Sequence, residues 1–196
     1  IADMLPDSFA KTFRSVACTT GATISASVGS TSTNASMDDL LDLMAAADQT
    51  DGVGEDEALT LMLKPIQLSQ LKDSARSEPA FQNSLADFSR AQARGRVIPG
   101  AFGLNVDIVA TSDVTDTGGA YQGFAFQRPA LGYVTMDTER IAPNVPYIAI
   151  PEFGLLIQFL LDKAGQATKQ VEGRAYFGIG LASTTVAFQR RFLSTT

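Results

Sequence analysis

The 196-residue chain has no histidine at all and only one cysteine, Cys18. The missing histidine excludes the most. Ser-His-Asp and Cys-His catalysis are ruled out, and so are the usual histidine-based zinc and iron centres. An enzyme on this chain would have to work with carboxylates, lysine or tyrosine. One cysteine excludes an intrachain disulfide and any CxxC metal site, and Cys18 sits in a run of small residues, as buried filler does. Positive charge is also short: 15 basic against 21 acidic residues leave a net charge of −6. A dedicated nucleic-acid reader gains its affinity by neutralising phosphates, so that class is disfavoured, although a local basic patch could still touch DNA weakly. Long apolar runs are absent too. The longest, 153–161, is broken by Gln158 and is too short to span a bilayer. No stretch reads as a secretory signal. The first residue is Ile1 rather than methionine, from which we expect a chain that is processed, trimmed or part of a longer one.

What remains is globular in composition, 45% hydrophobic and 18% charged. Residues 36–72 organise the reading. Ser36 is a good N-cap and Asp39 follows three residues later, a capping-box arrangement. Leu40, Leu41, Leu43, Met44 and Ala47 then recur at helical spacing. The turn 48–57 is crowded with acids, which are costly to bury, so we expect it to be exposed. Residues 58–63 (ALTLML) read as a short strand covered on both faces. Pro65 suits the first position of a helix, and Ile66, Leu68, Leu71 and Ala75 form its expected buried side.

Elsewhere the pattern alternates between the two periods. Residues 1–15 read as a helix, with Pro6 near its start, and 17–34 as a strand or extended connector. Residues 78–95 read as a helix opened by Pro79 and stopped by Gly95, ending in Arg90, Arg94 and Arg96. Those cations suit a helix C-terminus, and they could also face an acidic neighbour or packaged nucleic acid. Leu104, Val106, Ile108 and Ala110 alternate as in a strand with one buried face. Residues 111–120 read as a polar loop, 121–126 and 132–136 as strands, and the proline-punctuated 143–151 as edge or linker. Two long strands, 153–162 and 171–179, are expected around the KAGQATK turn. Val186, Phe188 and Phe192 suggest a closing strand.

No motif passes a catalytic test. Ser69-Gln-Leu-Lys72 matches S-x-x-K, but S-D-N and K-T-G are missing, which leaves a surface helix as the better reading. The acidic turn fails the EF-hand template, because aligning Gly52 at position six puts Ala47 and Ala58 at the first and last ligand positions. Gly178-Ile-Gly180 lacks the third glycine and following helix of a dinucleotide fingerprint, and sheet packing explains it better. No cofactor or metal is implied.

The order of four stretches carries a resemblance. These are 27–48 (SVGSTSTNASMDDLLDLMAAAD), 58–72 (ALTLMLKPIQLSQLK), 100–114 (GAFGLNVDIVATSDV) and 171–182 (VEGRAYFGIGLA). Together they resemble the C-terminal two-thirds of an HK97-fold major capsid protein of tailed bacteriophages. The first is similar to a glycine-containing lead into a helix, and the second to a strand followed by hP-x-Q-x-x-x-L, with Lys64 where histidine is frequent. The third is similar to the FG-x-x-V-x-x-S strand, and the fourth to the last strands of that fold. The family's N-terminal arm and extended loop have no visible counterpart, so no crosslinking residue is carried over.

The resemblance implies an α+β, HK97-like fold with an axial subdomain at 35–141 and a peripheral one combining 1–34 with 142–196. It implies a structural protein, not an enzyme, that tiles as hexamers and pentamers into an icosahedral head. The head would enclose double-stranded DNA held weakly and without sequence preference. Scaffolding, portal or decoration proteins are the further expected partners, and the virion, assembled in the bacterial cytoplasm without a membrane, the expected location. Expected assembly contacts are Arg90, Arg94 and Arg96, the acidic turn with Asp51, Glu55 and Asp56, and the 111–119 loop with Asp113 and Asp116. An encapsulin-like compartment shell is the alternative within the fold. An enzyme using carboxylates or Ser69 and Lys72 is the alternative outside it.

Overall fold

The computed structural model describes residues 4–49, 58–82, 97–127, 130–135, 147–150, 155–162, 170–174, 176–182 and 188–196. It is a mixed helix-and-sheet protein that divides into two compact units, 1–131 with 181–196, and 132–180. Four helices are described: α1 (Met4–Gly21), α2 (Met37–Asp48), α3 (Pro65–Ser77) and the short α4 (Pro79–Gln82). In the first unit the strands are β1 (Ser27–Gly29), β2 (Leu59–Leu63), β3 (Val97–Ile98), β4 (Val106–Ala110), β5 (Thr115–Thr117), β6 (Ala120–Phe126) and β12 (Gln189–Thr195). They form one mixed sheet in the order β1-β12-β6-β2-β4-β3, with β5 paired to β6. β2 runs parallel to β4 and β1 parallel to β12, while β6 is antiparallel to both β2 and β12.

Strand periodicity gives this sheet two buried faces. Leu59, Leu61 and Leu63 of β2 point into one cluster with Val106 and Ile108 of β4, and there Leu40 and Leu43 of α2 meet Leu68 and Leu71 of α3. Met62 and Phe124 point the other way, toward Ala17 and Cys18 of α1. Central strands covered on both sides read as unbroken apolar runs, which is why ALTLML was legible.

The two helices of the first face start as their residues dictate. The Asp39 amide donates to Ser36 Oγ at 3.2 Å, and the Ser36 amide donates to Asp39 Oδ2 at 2.9 Å, closing the capping box. Pro65 opens α3, as expected. On α3 the buried side differs from the apolar pattern: Ile66 is 44% exposed and Gln67 is fully buried. The reason is hydrogen bonding. Gln67 Oε1 accepts from the Lys64 amide at 3.1 Å, and Gln67 Nε2 donates to the Phe192 carbonyl at 3.2 Å. A buried amide with both ends used is affordable where an unpaired one is not. On α2, Leu41 likewise faces out, at 40% exposure.

Three further expectations are revised. α1 continues past Ser15 to Gly21, with the Thr19 and Thr20 hydroxyls turned back to the carbonyls of Ser15 and Val16 rather than competing for backbone outside the helix. The 111–120 stretch contains β5, which turns back into β6 through Gly118 and Gly119 with Thr117 opposite Ala120. Their φ angles, 64° and 84°, are those of a type I′ hairpin turn. The expected strand 171–179 is two strands in different sheets.

In the second unit, β8 (Tyr147–Ile150), β9 (Leu155–Asp162) and β10 (Gln170–Arg174) form an antiparallel sheet with β9 central. β8 is therefore an edge strand in the proline-punctuated passage. A two-stranded ribbon pairs β7 (Leu131–Thr135) with β11 (Phe177–Leu181). Gly178 and Gly180 lie within β11.

Candidate functional site

The carboxyl ends of parallel strands gather the loops that carry function in open sheets. One such pair of ends belongs to β2 and β4, and a small group of charged and polar side chains lies beside it. Lys64 follows β2 directly, and Thr111 follows β4, its amide donating to the Leu63 carbonyl at 2.8 Å. The β5–β6 hairpin then sets Asp116 opposite Tyr121. A cross-strand pair presents both side chains on one face. Lys64 meets both: its Nζ lies 3.8 Å from Asp116 Oδ2 and 4.6 Å from the centre of the Tyr121 ring.

A second pair ties the loop to α1. Asp113 Oδ2 accepts from Thr111 Oγ1 at 2.9 Å, and the Asp113 amide donates back to that hydroxyl at 3.2 Å. The same carboxylate faces Arg14 Nε at 3.9 Å, an ion pair too long for a hydrogen bond. Beside it Cys18 Sγ lies 3.8 Å from Met62 Sδ. Burial pushes the Cys18 thiol up to about 12, the Asp113 carboxylate adds to the effect, and Arg14 opposes it. A cysteine buried in this way behaves as an inert structural residue.

Chemically, this arrangement is a latch. Two long cation–carboxylate contacts link the 111–119 loop to α1 and to the start of α3, and leave the Gly118–Gly119 tip exposed. Asp113 and Asp116, expected as assembly contacts, are both engaged within the chain here. Asp51, Glu55, Asp56, Arg90, Arg94 and Arg96 lie outside the described residues. Arg14 and Tyr121 escaped sequence reasoning. Tyr121 could have been found once Gly118-Gly119 was read as a two-residue hairpin, since the turn sets the register. Nothing local to Arg14 marks it.

Ser69 is exposed on α3, and Lys72 stands three residues on, half-buried. Lys72 is pushed below the usual lysine range by burial first and by the neighbouring Arg76 second, against the pull of Asp73. Among the described residues, no group of three His, Cys, Asp or Glu side chains could hold a metal. No described helix is long and apolar enough to cross a membrane. No protein-family model matches the chain, and no curated protein matches it.

Proposed function

We propose that the chain is the major subunit of an HK97-like phage head, a structural protein that tiles with copies of itself around double-stranded DNA. One observation carries the reading. Three of the four resembling stretches share one core: 27–48 makes β1 and α2, 58–72 makes β2 and α3, and 100–114 holds β4 beside β2, with α2, α3, β2 and β4 packed in one cluster. The FG step of the third stretch has a structural basis. Gly100, Phe102 and Gly103 all take positive φ in a tight turn that buries Phe102 in the core, and the Gly100 amide donates to Asp107 Oδ1 at 3.0 Å.

The charge balance suits the role. A subunit of net charge −6 does not clamp DNA, whose packing needs mobility. Many weak lateral contacts, each repeated across a shell, hold what no single contact would. The axial and peripheral subdomains belong to this proposal. Their boundary at 34/35 and 141/142 crosses the main sheet between β12 and β6, whereas the two compact units divide at 131/132 and 180/181.

The test is electron microscopy of particles made by the full-length protein, with a nuclease-protection assay on their contents. Closed shells of uniform diameter holding nuclease-resistant duplex DNA are expected. Shells filled with a protein cargo would move the reading to an encapsulin-like compartment. A chain that stays monomeric at every concentration would overturn both.

A further inference from the structure

The main sheet ends at β1, and the chain on both sides of that strand is described, from residue 4 to residue 49. The Arg191 amide donates to the Ala26 carbonyl at 2.9 Å, so Ala26 and Val28 face β12. By alternation the amides and carbonyls of Ser27 and Gly29 point away from the sheet. Among the described residues no backbone hydrogen bond reaches these four groups. Soluble proteins blunt an open edge with charge, proline or brevity. Residues 15–37 contain no Asp, Glu, Lys, Arg or Pro, so only the shortness of β1 protects it.

One cation reaches this edge. Arg191 stands opposite Ser27 in register, and its Nη2 donates to the Ser25 carbonyl at 3.3 Å. Its Nε is buried without a partner, and no carboxylate among the described residues pairs with it. A guanidinium offers five N–H donors, and this one uses a single donor. The edge therefore suits an extended strand that carries an acid. A second β1 does not suit it, because it would bring another Arg191 and no carboxylate.

β5 has the required chemistry. Thr117 and Ala120 flank the two-residue turn and exchange both hydrogen bonds, so the next pair, Asp116 and Tyr121, exchanges none. The Asp116 amide and carbonyl thus point away from β6, and among the described residues no backbone hydrogen bond reaches them. The Asp116 side chain is 49% exposed, and its 3.8 Å contact with Lys64 is too long to saturate the carboxylate. Beyond it the hairpin tip is open: a Cβ at Gly118 or Gly119 would meet nothing within 4 Å. The hairpin is formed before any contact, so docking it loses little to ordering.

We infer that β5 of one copy adds to the outer edge of β1 of a second copy, with the incoming Asp116 paired to Arg191. The contact runs head to tail. Each copy offers one β5 and one β1, and such contacts close into rings when repeated. Three-residue strands make it weak singly and effective in number. The inference rests on the shell reading in that both need copies to meet, and it names one lateral contact.

Disulfide trapping tests it in the full-length protein. Ser27→Cys and Thr117→Cys are prepared separately, mixed, and oxidised mildly, and intact mass separates mixed dimers from like dimers. The control mixes Thr117→Cys with Ala45→Cys, which is exposed on α2. The natural Cys18 is buried, so the background is low. Mixed dimers should form several-fold faster than in the control. Asp116→Lys in the Thr117→Cys copy should slow the link, and Arg191→Asp in the Ser27→Cys copy should restore it. Asp116→Lys reads the pairing by itself if circular dichroism shows Arg191→Asp unfolded. Mixed dimers no faster than the control, or Ser27→Cys linking faster to itself, would overturn the contact. Closed shells without this link would overturn the contact and spare the shell reading, and linked copies that never close into shells would do the reverse.

Discussion

Gln67 offers the sharpest test of how the first unit holds together. Replacing it with leucine keeps the volume and removes two hydrogen bonds, one from the Lys64 amide and one to the Phe192 carbonyl. Phe192 is fully buried on a strand between two others, so its carbonyl loses its side-chain partner where water does not replace it. The carbonyl keeps its ladder partner on β6, so losing this second bond costs about 1 kcal/mol. Lys64 is only half-buried, so its amide can recover a water and costs less, about 0.5–1 kcal/mol. Leucine returns about 1 kcal/mol through extra apolar burial. The net expectation is a loss of roughly 1 kcal/mol, read as a lower urea midpoint with an unchanged slope. Gln67→Glu adds a pH signature. The neutral acid can donate to the Phe192 carbonyl and accept from Lys64, whereas the carboxylate must face that carbonyl without a proton. The folded state therefore raises this acid above its ordinary value. Its stabilisation is present at low pH and lost as pH climbs through the raised value, by at most about 1.4 kcal/mol per pH unit. Urea titrations from pH 4 to pH 8, followed by circular dichroism, measure both effects. A leucine variant within about 0.5 kcal/mol of the parent, the scatter of neutral surface changes, would refute the reasoning.

Two glycines with positive φ should respond unequally to alanine. At Gly29 a Cβ would lie 2.3 Å from the Leu193 carbonyl oxygen, and at Gly118 it would meet nothing within 4 Å. Gly118→Ala should cost only the left-handed penalty of about 1 kcal/mol, and Gly29→Ala clearly more; equal losses in denaturation would contradict this. Cys18 should resist alkylation in the folded protein at pH 8 and react at the rate of global unfolding. Its thiol is raised from 9.0 to about 12 on folding, so the folded state holds the extra proton between those values and stability should fall as pH rises from 9. Cys18→Ala should flatten that slope, and an unaltered slope would assign it to other groups. Reversing the charge at Arg94 should impair particle formation if the 90–96 cations meet acids on a neighbour, which electron microscopy would reveal; normal particles would remove that contact.

Much of the first unit could be read where local rules and burial agree. Ser36 with Asp39, Pro65, and the apolar run of β2 each specify their element within a few residues. The failures share a cause: a partner distant in sequence decided the outcome. Gln67 lies buried because of Phe192, and Ile66 turns outward as a result. Thr19 and Thr20 look like connector residues until their hydroxyls are seen donating back into the helix. Residues 171–179 read as one strand, yet 171–174 pair with β9 and 177–179 belong to the strand that pairs with β7. The ion pairs of Asp113 and Asp116 were legible only as acidic loop positions, since Arg14 on α1 and Lys64 after β2 come to them through tertiary packing and not through spacing.

The strand order gives the second unit the character of a removable cassette. β6 ends at Phe126 and its neighbour β12 begins at Gln189, so residues 132–180 interrupt two strands that lie side by side. The two ends of the interruption are tied at its base, where the Ala182 amide donates to the Ala130 carbonyl at 2.9 Å and the Gln127 amide to the Phe188 carbonyl at 3.1 Å. Joining β6 to β12 across some sixty floppy residues costs about 3.7 kcal/mol of loop entropy, and across a pre-tied base of about ten it costs about 2. A nascent chain that knots the cassette first thus zips its main sheet faster by about an order of magnitude. Lengthening 132–180 should therefore change the stability of the main sheet little, provided the base stays tied.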